Sequence, residues 1–232
     1  MAYREHAHPW SLLVCTWEVT ANGEGRRVVP DACVDLIWKG GELIIAGPDT
    51  GPRLVPMSTG EEAHGARLRP GAAAAVLGLP ASELRDVVVS ASEVLGRGVS
   101  EPLLESLAGG TDPGAALAGA LARQQREEPE GLVIAAVSAL DRRRARVDAV
   151  AAELGVSQRH LQRRVNDAVG YGPKTLARIL RFRRLQALPP APLAELALDA
   201  GYADQAHMTA EVTRLAGIQP VRFLKDRPPL AA

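Results

Sequence analysis

Cysteine is scarce in this 232-residue chain, which holds only Cys15 and Cys33. Two thiols cannot build a disulfide framework, and a chain of this length buries a core without one, so a reducing compartment is expected. Long apolar runs are also missing. The longest near the start, Leu12 to Trp17, is interrupted by Thr16 and closed by Glu18, too short for a bilayer span and poorly shaped for a signal peptide. A cytoplasmic protein with no membrane association is expected. No His or Cys spacing forms a compact metal motif, so neither a metal nor another cofactor is expected. Net charge is absent too, with 27 Lys and Arg balancing 27 Asp and Glu. At first sight that balance argues against a polyanionic partner.

The average hides an asymmetry. Up to Gly131 the chain carries 11 basic and 18 acidic residues; beyond it, 16 basic and 9 acidic. An acidic front half and a basic back half imply different partners, and phosphate backbones suit the basic one.

The two halves also differ in pattern. Short apolar runs at Leu12 to Val19, Arg26 to Val29, Cys33 to Trp38, Leu43 to Ala46, Arg53 to Val55 and Ala66 to Leu68, punctuated by Gly and Pro, read as strands. From Gly71 on, helix formers at helical spacing fill Ala72 to Leu79, Ser82 to Asp86, Glu101 to Ala108 and Ala115 to Arg126. The stretch Arg123 to Gly131 has no apolar residue and two helix breakers. The expected fold is α+β: a strand-rich domain with helices over residues 1–128, and an all-α domain over residues 129–232.

The back half contains a duplication. Val147, Val150, Ala151 and Leu154 precede Gly155, and Leu161, Val165, Gly170 and Pro173 follow it. The same pattern returns as Leu193, Leu196, Ala197 and Ala200 before Gly201, then Met208, Val212, Gly217 and Pro220. The offset is 46 residues up to the turn and 47 after it. Each copy reads as a short helix, a glycine turn and a second helix of about three turns, the grammar of a helix-turn-helix. Gly155 and Gly201 suit a left-handed helix stop, and Ser157 and Asp204 suit the N-caps of the helices that follow. Pro173 opens a helix running to about Leu188, a spacer of roughly 20 Å between the copies.

The second helix of each copy carries the chemistry. In the first copy Leu161, Val165 and Ala168 share one side, while Arg159, Gln162, Arg163 and Asn166 occupy the other. Arg pairs bidentately with guanine, and Asn or Gln with adenine, so this face suits major-groove reading. Ser157, His160 and Arg164 flank it as candidate backbone contacts. In the second copy Met208, Val212 and Leu215 lie inside and Ala206, Thr209, Ala210 and Thr213 outside, with Gln205 and His207 at the margins. Short side chains reach a thymine methyl or a phosphate but supply no bidentate pairs, so the first copy is expected to discriminate and the second to anchor. Lys174, Arg178 and Arg181 share one face of the spacer and are candidate phosphate contacts. The implied partner is double-stranded DNA, held through two successive major grooves about one helical turn apart. Arg183 projects toward the apolar side of the spacer, where this pattern assigns it no role.

These residues resemble the AraC/XylS family of bacterial transcription regulators over about Leu132 to Asp226. The likeness is most specific from Ala200-Gly201-Tyr202-Ala203-Asp204-Gln205 through Leu215-Ala216-Gly217-Ile218-Gln219-Pro220 to Phe223. It implies two helix-turn-helix units joined by one long helix, with Arg159, Gln162 and Arg163 reading one groove and Gln205, Ala206 and His207 facing the next. Where the family has an aromatic, Arg and another aromatic in the second reading helix, this chain has Met208, Ala210 and Val212. The front half resembles the N-terminal domain of a little-characterised subgroup through Val29-Pro30-Asp31-Ala32-Cys33-Val34-Asp35-Leu36-Ile37, Gly47-Pro48 and Arg69-Pro70-Gly71. The resemblance implies effector sensing, dimerisation into a homodimer, or both. RNA polymerase would be a further partner for an activator.

Within the front half, Cys15, Trp17, Cys33, Trp38 and His64 are the candidate effector residues, for a small molecule or a thiol-reactive signal. Trp17, Trp38 and Cys33 would line a pocket between strands. Alternation along the strand from Cys33 puts Cys33, Asp35 and Ile37 on one face and Val34, Leu36 and Trp38 on the other. Two other readings stay open. One is a cysteine-dependent enzyme using Cys33, His64 and Asp35 as nucleophile, base and orienter. The other is a protein-interaction module built on the helical hairpins.

Overall fold

The computed structural model describes residues 2–226. The front half opens with strands β1 (Ala2–Ala7), β2 (Leu13–Thr20), β3 (Arg26–Val28), β4 (Val34–Lys39), β5 (Glu42–Ala46), β6 (Arg53–Val55) and β7 (Glu62–Leu68). Helix α1 (Ala73–Leu77) and a 3-10 turn (Ala81–Leu84) follow, then β8 (Val88–Ser90) and helices α2 (Ala91–Leu95), α3 (Arg97–Ala108) and α4 (Pro113–Gln124). Six strands form one antiparallel sheet in the order β1-β2-β7-β4-β5-β8, and β3 pairs with β6 separately. Each of the six strands read from apolar runs is present, and β7 begins four residues earlier than that reading. The edge strands β1 and β8 and the short helix α2 lie outside it. β1, with Arg4, Glu5 and His6, lacks an apolar run, and β8 is three residues long.

The sheet has two apolar faces, as expected for a strand with alternation of the β4 kind. Val34 and Leu36 of β4 and Ala66 and Leu68 of β7 pack with residues of α1, α3 and α4. On the other face Cys15, Trp17 and Val19 of β2 and Ala63 of β7 pack with Met57, Val55 and Ile37.

Residues 125–130 lead into an all-helical back half of α5 (Gly131–Leu140), α6 (Val147–Glu153), α7 (Gln158–Val169), α8 (Pro173–Ala187), α9 (Leu193–Ala200), α10 (Gln205–Ala216) and α11 (Pro220–Asp226). These helices share one core, which includes Leu161, Val165, Leu176, Ile179, Phe182, Met208 and Val212. The duplicated grammar is realised in both copies. Gly155 and Gly201 are left-handed, at φ +67° and +93°. Ser157 Oγ accepts the His160 N–H at 3.1 Å and Asp204 Oδ1 the His207 N–H at 2.7 Å, capping α7 and α10 alike. Between the copies α8 runs 15 residues, about 22 Å of rigid helix.

The halves are joined by the Val29–Cys33 segment. Ala32, left-handed at φ +69° and buried, packs in the helical core together with Val29. Arg183 Nη1 donates to the Asp31 carbonyl at 3.3 Å. A cation on the apolar side of α8 is thus accounted for by a contact 152 residues away.

Candidate nucleic-acid interface

Helix α7 buries Leu161, Val165 and Val169 and turns Arg159, Gln162 and Arg163 to solvent, with His160 and Asn166 half-buried beside them. The cap at Ser157 starts the helix so that these donors fall on one side. Arg164 is engaged elsewhere: its guanidinium holds Glu130 through Nε, at 2.8 Å to Oε2, and through Nη2. The same carboxylate raises the guanidinium pKa, by hydrogen bonding and by its charge.

Helix α10 buries Met208, Val212 and Leu215 and exposes Gln205, Ala206 and Ala210. Its hydroxyls are turned inward along the helix, Thr209 Oγ1 donating to Gln205 O and Thr213 Oγ1 to Thr209 O, both at 2.8 Å. His207 stands edge-on to Tyr202, with ring centroids 5.4 Å apart, and its Nδ1 accepts the Ala203 N–H. Between exposed Gln205 and exposed Arg214 at its two ends, the outer surface of α10 is therefore short and largely self-satisfied, in contrast to that of α7.

The three cations on α8 fare differently. Lys174 is exposed. Arg178 pairs with Glu211 of α10 at 2.9 Å, and the Arg181 guanidinium lies over the Tyr202 ring, 5.3 Å from its centre. Two of the three thus brace the second unit against the spacer.

The candidate effector residues are not gathered into one place. Trp17 pairs in register with Gly65, which also faces Ile37, whereas Trp38 pairs with His64. Alternation sends Trp17 to one face of the sheet, and Trp38 and His64 to the other, where their rings stack at 5.7 Å. A strand pocket shared by Trp17, Trp38 and Cys33 is therefore not formed. For the same reason Cys33 and His64 are separated by the sheet, so the nucleophile–base pair of the enzyme reading is not assembled. Burial pushes the Cys15 thiol up to about 12 and the Cys33 thiol well above its ordinary range. Neither is poised as a thiolate, which speaks against a thiol-reactive signal.

A different site emerges on the Cys33 face. Arg67, with its side chain 14% exposed, meets Asp35 at 3.1 Å, Asp31 at 3.2 Å and Glu5 at 3.4 Å, and Trp17 Nε1 donates to Asp35 at 2.8 Å. Burial opposes the Arg67 charge, but Asp35 and Asp31 outweigh it and raise the guanidinium pKa. Glu5, Asp31 and Arg67 of this cluster line one wall of a cleft of about 920 Å³ between the two halves. Opposite it stand Leu180, Arg183, Ile218 and Phe223 of the helical half, and Arg26, Arg27 and Leu54 close the side. Arg26 lies over the Tyr3 ring at 4.2 Å. Of the five candidate effector residues, Cys33 lines this cleft. The alternating-strand pattern carried no signal for the rest, because the cleft is made by residues far apart in the chain.

Among the described residues no cluster of three or more His, Cys, Asp or Glu is arranged to hold a metal ion, and no helix is long and apolar enough to cross a membrane.

Residues 150–226 match a family described as a helix-turn-helix domain, and residues 10–90 match a domain of unknown function (DUF6597). No curated protein matches the chain. Its fold is similar to that of an apo variant of ToxT from Vibrio cholerae strain SCE256, at 10% identity and a TM-score of 0.50, covering 96% of this chain and 99% of that one. Unsaturated fatty acid-bound ToxT from the same strain is similar at 9% identity and a TM-score of 0.46, covering 99% and 97%. The C-terminal domain of AraT, a response regulator from Geobacillus stearothermophilus, is similar at 20% identity and a TM-score of 0.40, covering 44% of this chain and 89% of that one.

Proposed function

We propose that the chain is a DNA-binding transcription regulator that reads its operator asymmetrically through two successive major grooves, a reading supported by the helix-turn-helix match over residues 150–226. In this reading α7 discriminates bases through Arg159, Gln162, Arg163 and Asn166, and α10 anchors through Gln205, Ala206, His207 and Thr209. Ser157, His160 and Lys174 contact phosphates. Arg164, Arg178 and Arg181 would reach phosphate only by leaving Glu130, Glu211 and Tyr202. The observation that carries the proposal is the row of exposed long donors on α7, set on a helix whose other side buries Leu161, Val165 and Val169.

The test is to recover duplexes from a random-sequence pool with the purified chain. One enriched sequence class is expected, with affinity falling steeply as salt rises. Retention of no duplex even at about 50 mM salt would sink the proposal.

Residues 1–128 act as the sensing part and residues 129–232 as the reading part. The effector site is the cleft between them. Its arginines outnumber its carboxylates, and Leu54, Leu180, Ile218 and Phe223 supply apolar surface, so an amphipathic anion fits its lining. Such a ligand would touch the Arg183–Asp31 contact and thereby the seam between the halves. Effector binding should change affinity for the recovered duplex, and Arg183→Ala should abolish that change while duplex affinity without effector persists.

A further inference from the structure

The second reading unit is a copy of the first, and each reading helix ends on a left-handed glycine: Gly170 at φ +92° and Gly217 at φ +70°. At both ends the front half supplies the same two kinds of residue. Arg85 Nη1 donates to the Gly170 carbonyl at 3.3 Å, and Arg27 Nη1 to the Ala216 carbonyl at 2.9 Å. Guanidinium groups at helix C-termini meet carbonyls that the helix leaves unpaired and the negative end of its dipole. Prolines close the same places. A β-carbon on Gly170 would lie 2.5 Å from Pro48 Cγ, and one on Gly217 would lie 3.1 Å from Pro52 Cγ.

The two prolines belong to one six-residue connection, Gly-Pro-Asp-Thr-Gly-Pro, between β5 and β6. This segment is braced from outside by Asp86 and Arg53. The Thr50 N–H and hydroxyl both donate to Asp86, at 2.6 and 3.0 Å, and the Asp86 N–H returns to the Pro48 carbonyl at 3.2 Å. Arg53 pairs with Asp49 at 2.9 Å. A short braced loop therefore touches the far ends of both reading helices at once. Within the helical half α7 and α10 each pack on α8, and Arg143 adds a bond to the Leu198 carbonyl.

We propose that the 47–52 loop, with Arg27 and Arg85, fixes the separation of the two reading helices and so sets the half-site spacing the protein accepts. This rests on α7 and α10 being the groove-docking helices, as proposed above. Arg27 and Arg85 are positioning residues: they act on bases only through the helices they hold. Their loss relaxes spacing selectivity while base selectivity within each half-site survives.

The test has two arms, both on the full chain. In the first, without DNA, nitroxide labels are placed through Arg163→Cys and Ala210→Cys, and their distance distribution is measured by pulsed electron resonance. Cys15 and Cys33, at 0% and 3% exposure, remain shielded from the label. A single narrow distribution is expected, broadened at least about twofold by the added pair Arg27→Gln and Arg85→Gln, which removes both anchors on the helix ends. In the second arm, with Arg163 and Ala210 intact, a duplex recovered from a random pool is re-spaced by one and two base pairs between its half-sites. The unaltered chain should lose about tenfold or more in affinity on insertion, and the double variant less than about threefold. An unchanged distance distribution, or the same spacing penalty in both proteins, overturns the proposal. Should the arginine pair fail to fold, Pro48→Gly with Pro52→Gly is read in the same two arms against the same criteria. A pool that enriches no duplex counts against the DNA reading itself, and the distance arm then decides the spacing device alone.

Discussion

The two reading units have the same frame and different faces. Both begin the second helix with a side-chain cap, Ser157 or Asp204, both turn on a left-handed glycine, and both end on another. The outer surfaces have diverged. α7 presents Arg159, Gln162 and Arg163, whereas α10 presents Ala206 and Ala210 between Gln205 and Arg214 and folds its threonine hydroxyls back on itself. Groups that hold a helix in place are constrained by backbone hydrogen bonding and the shared core, so duplication preserves them. Groups that face outward are constrained only by what they meet. The comparison thus separates residues that make a reading helix from residues that make it read.

The largest expected effect breaks the comparison directly. Replacing a base pair under α7 in the recovered operator should cost about 1–3 kcal/mol, or about 10- to 100-fold in affinity. A base pair under the Ala206–Ala210 stretch of α10 should cost less than about threefold, because only Gln205 and Arg214, at the two ends of that helix, carry exposed bidentate donors. Arg163→Ala should reproduce the first loss and flatten the preference at one position. Competition binding against single-position variants measures all of these, and equal losses in the two half-sites would erase the proposed division of labour.

A smaller effect tests the shared frame. Ser157→Ala and Asp204→Ala each remove one cap, and each should lower stability by about 1 kcal/mol in urea denaturation. Since each cap side chain accepts the N–H three residues on, the losses should agree within about 0.5 kcal/mol. A much larger loss for one would mean that the units depend unequally on their caps, contrary to the frame being common to both.

The spacer supplies the next contrast. Lys174→Ala should reduce the slope of log affinity against log salt by about one. Arg178→Ala should change that slope less, because its guanidinium is already paired with Glu211. The reverse order would show that the Arg178 pair opens on the duplex and that Lys174 is a bystander.

What could be read from the chain beforehand follows the range of the interactions. Gly155, Gly201, Ser157 and Asp204 act on residues within one turn, so their roles are visible in a short window. The apolar spacing of Leu161 and Val165 likewise reports a local wheel. Arg85 bonds a carbonyl 85 positions away and Arg27 one 189 positions away, and nothing near either residue hints at its partner. Arg183 was anomalous on its own helix, which was a signal, but its meaning lay in Asp31. For Trp17 and Trp38, alternation is legible along each strand separately. Which faces coincide depends on the pairing of β2 and β4 with β7, and that register is a property of the assembled sheet.

The smallest effect lies at the start of the two units. In the first, Arg146 and Asp148 pair at 2.7 Å in the opening turn of α6, while α9 opens on Pro192 with Glu195 as its first-turn acid. The Arg146 hydrogen bond, helped by the Ala149 N–H, lowers the Asp148 carboxyl to about 2. A carboxylate whose folded pKa lies below its unfolded value, about 3.9, contributes stability that is fully present above that unfolded value. That contribution is lost as pH falls through about 2. Asp148 is exposed, so solvent screening keeps the effect small. A carbon-detected titration should place its midpoint near 2, and Arg146→Ala should move it up toward the ordinary carboxylate range. A midpoint already in that range in the unaltered chain would mean that the pair does not persist in solution and that the two units open on equal terms.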